Sequence, residues 1–137
     1  MVDNVRIVAG QLDRFAGNVI KALVLEATSN LIEATPVDTG WARANWVPSI
    51  GAPKFGPETP TDKGRRRSAT TSQKGTQQTG LSSVATGYTL SRGVVSIANG
   101  VPYISVLNGG SSRKAPAAFV QGAILKAVRT VSLRKFV

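Results

Sequence analysis

The sequence contains no cysteine and no histidine among its 137 residues. Disulfide bonds, thiolate metal sites, cysteine nucleophiles and acid–base catalysis by histidine are therefore excluded. The absence of cysteine fits a reducing compartment, where disulfides are rare.

Acidic residues are missing from the second part of the chain. All seven acidic residues lie within the first 62 positions, which carry five basic residues; from Lys63 onward there are twelve basic residues and no acidic ones. This asymmetry predicts contact with a polyanion, with nucleic acid first and an acidic protein surface second. The plainer alternative is a solvated basic face without a partner.

Long apolar runs are also missing. The most apolar stretch, residues 19–27, is interrupted by Lys21 and Glu26, so it is too short and too charged to span a bilayer. The first residues lack a basic segment followed by an apolar run, so no signal peptide is expected. The length predicts one domain, residues 1–137, with a modest core.

Residues 3–34 have the apolar period of a single long helix. Asp3 or Asn4 is a plausible N-cap. Gly10 and Gly17 each weaken a helix by about 1 kcal/mol relative to alanine, so the segment before Gly10 is a candidate for a separate turn. The expected apolar stripe consists of Leu12, Phe15, Ala16, Val19, Ile20, Leu23, Ala27, Leu31 and Ala34.

The helix is expected to end near Thr35, because the residue before a proline is disfavoured in the α region. Residues 36–40, Pro-Val-Asp-Thr-Gly, have the composition of a tight turn. Alternation then predicts a strand over residues 41–50. Pro48 places that strand at an edge or ends it early.

Residues 51–82 differ from the rest of the chain. They contain three prolines, many Gly, Ser, Thr and Gln residues, and the run Lys63-Gly64-Arg65-Arg66-Arg67, with Phe55 and Leu81 as the only large apolar residues. Such a segment buries too little apolar surface to offset its ordering entropy. We expect an extended basic arm, or a β-hairpin excursion, that orders against a partner.

Regular structure is expected to resume after the arm. Residues 84–90 and 93–98 predict two strands around a turn, and residues 101–107 predict a strand or a short helix with Tyr103 and Val106 or Leu107 buried. The last helix should begin near Pro116. The predicted fold class is therefore α+β, an antiparallel sheet of about four strands packed by a long N-terminal helix and a C-terminal helix. The expected apolar face of the last helix is Phe119, Val120, Ala123, Ile124, Ala127, Val128 and Val131.

Catalytic patterns are weak in this sequence. Glu26 and Glu33 share a helix face, but no second pair completes a metal site or an acid–base couple. Residues 109–114 lack the spacing of a phosphate-binding loop, and Ser111 and Ser112 have no visible base. We expect no enzyme activity, no cofactor and no metal site.

The basic residues fall into three groups: one in the arm, one in the Gly-rich loop and one on the last helix. No aromatic residue is interleaved with the arginine run, so base stacking is not indicated. Sequence-independent, salt-dependent attraction to phosphate remains, with acidic protein surfaces as the competing use. The residues predicted to contact DNA or an acidic surface are Lys63, Arg113, Lys114 and Arg129.

Two separated motifs resemble those of a known family. The first is Thr35-Pro36-Val37-Asp38-Thr39-Gly40 followed by Arg43, Asn45 and Trp46. The second is Asn99-Gly100-x-x-Tyr103-x-x-x-Leu107-Asn108-x-Gly110-x-Ser112-x-Lys114-Ala115-Pro116, then Phe119 and a closing helix. Together they resemble the neck proteins of long-tailed double-stranded DNA bacteriophages, described as head–tail joining, tail-completion or minor tail-component proteins. The resemblance spans both ends of the chain and omits residues 51–82; Asn108 stands where many relatives carry Glu.

The resemblance implies a structural virion protein that forms a ring coaxial with the DNA channel. Six copies are favoured because tails are six-fold, with twelve as the alternative. Its neighbours would be connector or adaptor proteins and tail-terminator proteins, with non-specific contact to the packaged DNA. The chain would be assembled in the host cytoplasm and located at the head–tail interface.

The ring hypothesis requires a contact surface between neighbouring subunits. Because tryptophan is enriched at binding hot spots and the arginine run is basic, the expected interface residues are Trp41, Arg43, Trp46, Arg65, Arg66 and Arg67. One tryptophan is expected in the core and the other at the interface, with both in one core as the alternative. The alternative function is a stand-alone basic nucleic-acid-binding protein; an enzyme such as a nuclease is the third and weakest hypothesis.

Overall fold

The computed structural model describes residues 2–35, 41–55, 71–101, 104–111 and 117–134. Over these residues the chain combines helices with one small sheet and is mostly helical. The elements in chain order are α1 (Val2–Ala34), α2 (Trp41–Ala44), β1 (Trp46–Ile50), α3 (Thr71–Gly87), a 3-10 turn (Leu90–Arg92), β2 (Val95–Asn99), α4 (Ile104–Val106), a wide helical turn (Leu107–Ser111) and α5 (Phe119–Ser132).

The long N-terminal helix is confirmed. Helix α1 continues through Gly10 without a break, so residues before Gly10 do not form a separate turn. It ends at Ala34, and the Thr35 N–H still donates to the Leu31 carbonyl at 3.1 Å. This end agrees with the restriction that Pro36 imposes on the residue before it.

The sheet pairs β1 with β2 in antiparallel register, with Trp46 opposite Asn99 and Ile50 opposite Val95. The Gly51 N–H donates to the Val94 carbonyl at 2.7 Å and extends the same register. In an antiparallel strand, only alternate residues point their N–H groups toward the partner strand. Gly51 is such a residue and Pro48, three positions earlier, is not, so the Pro48 nitrogen points away from β2. Pro48 therefore removes no hydrogen bond between the two strands.

One predicted strand was too long, and another was wrong. Residues 41–44 form a helical turn, so the first strand begins only at Trp46. Residues 84–87 belong to α3, and residues 90–92 form the 3-10 turn. The described residues therefore contain a two-stranded sheet rather than the four strands expected.

Part of the predicted arm is also helical. Helix α3 begins at Thr71 and includes the last twelve residues of the segment 51–82. Residues 56–70, with Lys63 and Arg65–Arg67, lie outside the described part. The helix was missed because its glycines, serines and threonines have low helix propensity. A usable signal was present, since Leu81, Val84 and Tyr88 follow helical spacing.

Close packing explains how so polar a helix is held. A Cβ atom at Gly80 would lie 2.5 Å from the Pro48 carbonyl oxygen, so glycine lets α3 lie directly against the backbone of β1. Val84 is fully buried in a cluster with Val24 and Tyr88. The Tyr88 hydroxyl donates to the Gly93 carbonyl at 2.6 Å, which fixes the chain as it leaves α3.

The last helix packs on the C-terminal part of α1. It begins at Phe119, and its buried residues are Phe119, Ala123, Ala127 and Val131. Leu31, Trp46, Phe119 and Ala123 form one core cluster. The predicted apolar face was too wide, because Ile124 and Val128 are exposed.

Candidate interaction surfaces

Thr35 lies at the centre of a hydrogen-bonded cluster that the first motif builds. Its side chain is buried, and its hydroxyl donates to the Leu31 carbonyl at 2.5 Å. The same oxygen accepts the Trp46 indole N–H at 2.7 Å. A buried indole donor needs such an acceptor, so this contact joins the end of α1 to the start of β1.

Arg43 closes the C-terminus of α1. Its guanidinium donates to the Thr35 carbonyl through Nε at 3.3 Å and Nη2 at 3.2 Å, and to the Glu33 carbonyl through Nη2 at 3.1 Å. The last carbonyls of a helix lack helical partners and carry partial negative charge. A cation at this position therefore satisfies and stabilises the end of α1.

The two motifs meet in space although more than fifty residues separate them. The Asn99 side-chain amide donates to the Ala42 carbonyl at 2.8 Å, and the Val101 N–H donates to Asn99 Oδ1 at 3.0 Å. From α3, the Gln77 amide donates to the carbonyls of Arg43 and Trp46, both at 3.0 Å. The junction of α1, α2, β1 and β2 is thus fixed by side chains of both motifs.

Asn108 of the second motif caps α5 from a distance. Ala118, the residue before α5, provides no side-chain cap. Instead Asn108 Oδ1 accepts the Val120 N–H at 2.9 Å, and the Asn108 carbonyl accepts the Ala118 N–H at 2.6 Å. Gly110 has a φ of 92°, which favours glycine. The Asn108-x-Gly110 pattern therefore builds the turn that starts α5.

The N-terminal part of α1 extends beyond the packed part of the chain. We call residues 4–14 its exposed half, because all of them are exposed except the half-buried Gly10. Val5, Val8 and Leu12 are 67%, 52% and 62% exposed. Their i, i+3, i+7 spacing places them on one helix face. They form an apolar strip, which we call the α1 strip. Asp13 follows Leu12 in the same helix.

The outer face of α5 carries a second exposed apolar strip. Ile124, Leu125 and Val128 are each about half exposed, and helical spacing places them together. We call them the α5 strip. Lys126 and Arg129 are also exposed on this helix, which contains no acidic residue. Arg129, one turn after Leu125, adds a basic group beside this strip, whereas Lys126 lies on nearly the opposite side of the helix from Ile124 and Val128.

The structure places the predicted site residues in different settings. Trp46 is 6% exposed and belongs to a core cluster. Arg43 contacts carbonyls of its own chain, and Arg129 lies on the outer face of α5. The Trp41 side chain and residues Lys63, Arg65, Arg66, Arg67, Arg113 and Lys114 lie outside the described part.

The α1 strip was not predicted as a surface, because Leu12 also fits the expected packing stripe of the helix. Helix length was the overlooked signal. A helix of 33 residues is about 50 Å long. A compact chain of 137 residues has a radius of gyration of about 14 Å, hence a diameter below about 40 Å. One end of such a helix must extend beyond the packed domain.

Other site chemistry is limited in the described part. A cleft of about 970 Å³ lies between β1 and α3, and its described lining includes Lys54, Arg92 and several hydroxyls but no carboxylate. The described residues contain no group of three acidic side chains that could hold a metal ion. None of the helices described is long and apolar enough to cross a membrane.

Comparison of the chain with known protein families, with curated proteins and with solved structures found no match in any of the three. The two motifs, their meeting point and the two apolar strips are therefore the observations that bear on function.

Proposed function

We propose that this chain is a structural subunit of the neck of a long-tailed double-stranded DNA bacteriophage. Its copies form a ring at the head–tail junction, around the channel through which DNA passes. Six copies are favoured, because tails are six-fold, and the ring joins the connector to the tail without catalysing a reaction. The motif resemblance supplies this hypothesis.

The observation that carries the proposal is the contact between the two motifs. Asn99 of the second motif donates to the Ala42 carbonyl within the first, and it lies opposite Trp46 of the first motif in the sheet. Residues that recur together in a family are expected to contact one another in its fold. The resemblance would have been coincidental had the motifs been far apart, so their meeting supports it.

The two exposed strips support an assembling protein. Contiguous apolar residues on the surface of a chain commonly mark contacts with another protein. A ring requires two different surfaces on each subunit, one for each neighbour. The α1 strip and the α5 strip are two such surfaces, on different helices.

The test is to remove the chain from the virus that encodes it and to image the particles. A neck protein is expected to leave DNA-filled heads and separate tails, and supplying the wild-type chain should restore joined particles. Labelling of the chain should then mark the head–tail junction. Joined, infectious particles in its absence would overturn the proposal.

A stand-alone basic nucleic-acid-binding protein is the second candidate. The exposed Lys126 and Arg129 on the acid-free helix α5 favour it. It predicts that the purified chain binds double-stranded DNA with an affinity that falls steeply with salt. It also predicts that removal of the chain leaves head–tail joining intact, which separates it from the neck proposal.

A further inference from the structure

We propose that the α1 strip of one copy packs on the α5 strip of the next copy, so that the chain assembles head to tail. The closure of this contact into a ring rests on the proposed function. The contact itself is argued from the described residues, and its test is separate from the test of the neck.

The first step is the continuity of the α1 strip with an interface inside the chain. The C-terminal half of α1 already packs against α5, where the Asn30 amide donates to the Ala123 carbonyl at 3.2 Å. Just past the end of α5, Arg134 pairs with Glu26 at 3.0 Å. Glu26 and Asn30 project from the same side of α1 as Val5 and Leu12, by the 100° rotation per residue. Toward its N-terminus, α1 therefore continues beyond α5 of the same chain, and it presents there the same side that packs against a helix nearer its C-terminus.

The second step is the choice of occupant. Pairing α1 with α1 of a second copy would cover one strip and leave Ile124, Leu125 and Val128 exposed. Pairing α1 with the neighbour's α5 covers both strips with one type of contact.

The head-to-tail contact uses two different surfaces, so two variants can be made that are each defective on one side. Leu12→Asp in the α1 strip and Leu125→Asp in the α5 strip both replace exposed side chains, so neither removes a core contact. A charge at the centre of an apolar contact is expected to weaken association by about 100-fold or more. Equal thermal midpoints for the two dilute variants and the wild type would show that both are folded.

The experiment measures mass by sedimentation and native mass spectrometry for the wild type, each variant and their mixture. We expect oligomers for the wild type and monomers for each variant alone. The mixture should give one-to-one dimers and nothing larger, because only one intact contact can form. Three results would overturn the inference. The wild type could stay monomeric at about 100 µM, a concentration well above a micromolar Kd. Leu125→Asp alone could form dimers, or the mixture could form none.

A second measurement uses the absence of native cysteine. The double variant Leu12→Cys and Leu125→Cys is expected to give a ladder of disulfide-linked oligomers under oxidation, and each single variant should give none. If the double variant forms the ladder but removal of the chain leaves head–tail joining normal, this contact stands and the neck function is overturned. If removal of the chain abolishes joining but the double variant forms no ladder, the neck function stands and this contact is overturned.

Discussion

The two halves of α1 are similar in sequence pattern and opposite in environment. In the C-terminal half, Val24, Ala27 and Leu31 are buried against α3, α5 and the sheet. In the exposed half, Val5, Val8 and Leu12 repeat the apolar spacing without comparable burial. The comparison teaches that apolar spacing identifies a helix, whereas the length of the packed domain decides how much of that helix the chain can cover itself.

The largest difference between the two halves of α1 is expected when one leucine in each half is truncated. Leu31→Ala removes a side chain that is 1% exposed and is expected to lower the free energy of unfolding by about 2–5 kcal/mol. Leu12→Ala is the matched control. Measured on the dissociated chain, it should change that free energy by less than about 0.5 kcal/mol. Equal losses at the two sites would contradict the division of α1, and denaturant unfolding monitored by circular dichroism gives both values.

The end of the covered half depends on the Thr35 hydroxyl. Thr35→Val keeps the shape of the side chain but leaves the buried Trp46 N–H without its acceptor, at an expected cost of about 1–3 kcal/mol. Thr35→Ser retains the hydroxyl and should cost about 1 kcal/mol or less. Thermal unfolding compares the two variants. A serine variant as unstable as the valine variant would show that the hydrogen bond is not what stabilises the junction.

The start of α5, which covers α1, depends on Asn108. Asn108→Ala removes the acceptor of the Val120 N–H and is expected to cost about 1 kcal/mol, the usual loss for a helix N-cap. Asn108→Asp keeps the acceptor and should retain most of that stability, since an acidic group suits a helix N-terminus. If both variants unfold at the same denaturant concentration, the capping role of Asn108 is refuted.

The smallest expected change in the free energy of unfolding is at the boundary between the two halves of α1. The Arg134–Glu26 pair is partly exposed, with side-chain exposures of 47% and 26%. Glu26→Gln should therefore lower stability by about 0.2–1 kcal/mol in low salt. The difference from wild type should shrink as the salt concentration rises. A loss that is independent of salt would indicate packing rather than charge attraction.

Sequence reasoning found the elements whose signals are local. The apolar period gave α1, proline chemistry gave its end near Thr35, and β-branched residues gave β2. Helix α3 was missed because its many glycines, serines and threonines have low helix propensity, and its close contact with Pro48 through Gly80 adds support that local propensity does not show. The roles of Thr35, Arg43 and Asn108 could not be predicted either, since their partners come from the ends of other elements.

Hydrogen exchange along α1 tests the central claim, that a second copy covers the exposed half, most directly. Amides of residues 4–14 should be protected at high protein concentration and should lose protection on dilution or in Leu12→Asp. Amides of residues 20–34 should stay protected in every sample, because α3, α5 and the sheet of the same chain cover them. Exchange of residues 4–14 that is equally fast at all concentrations, in wild type and variant alike, would contradict the account.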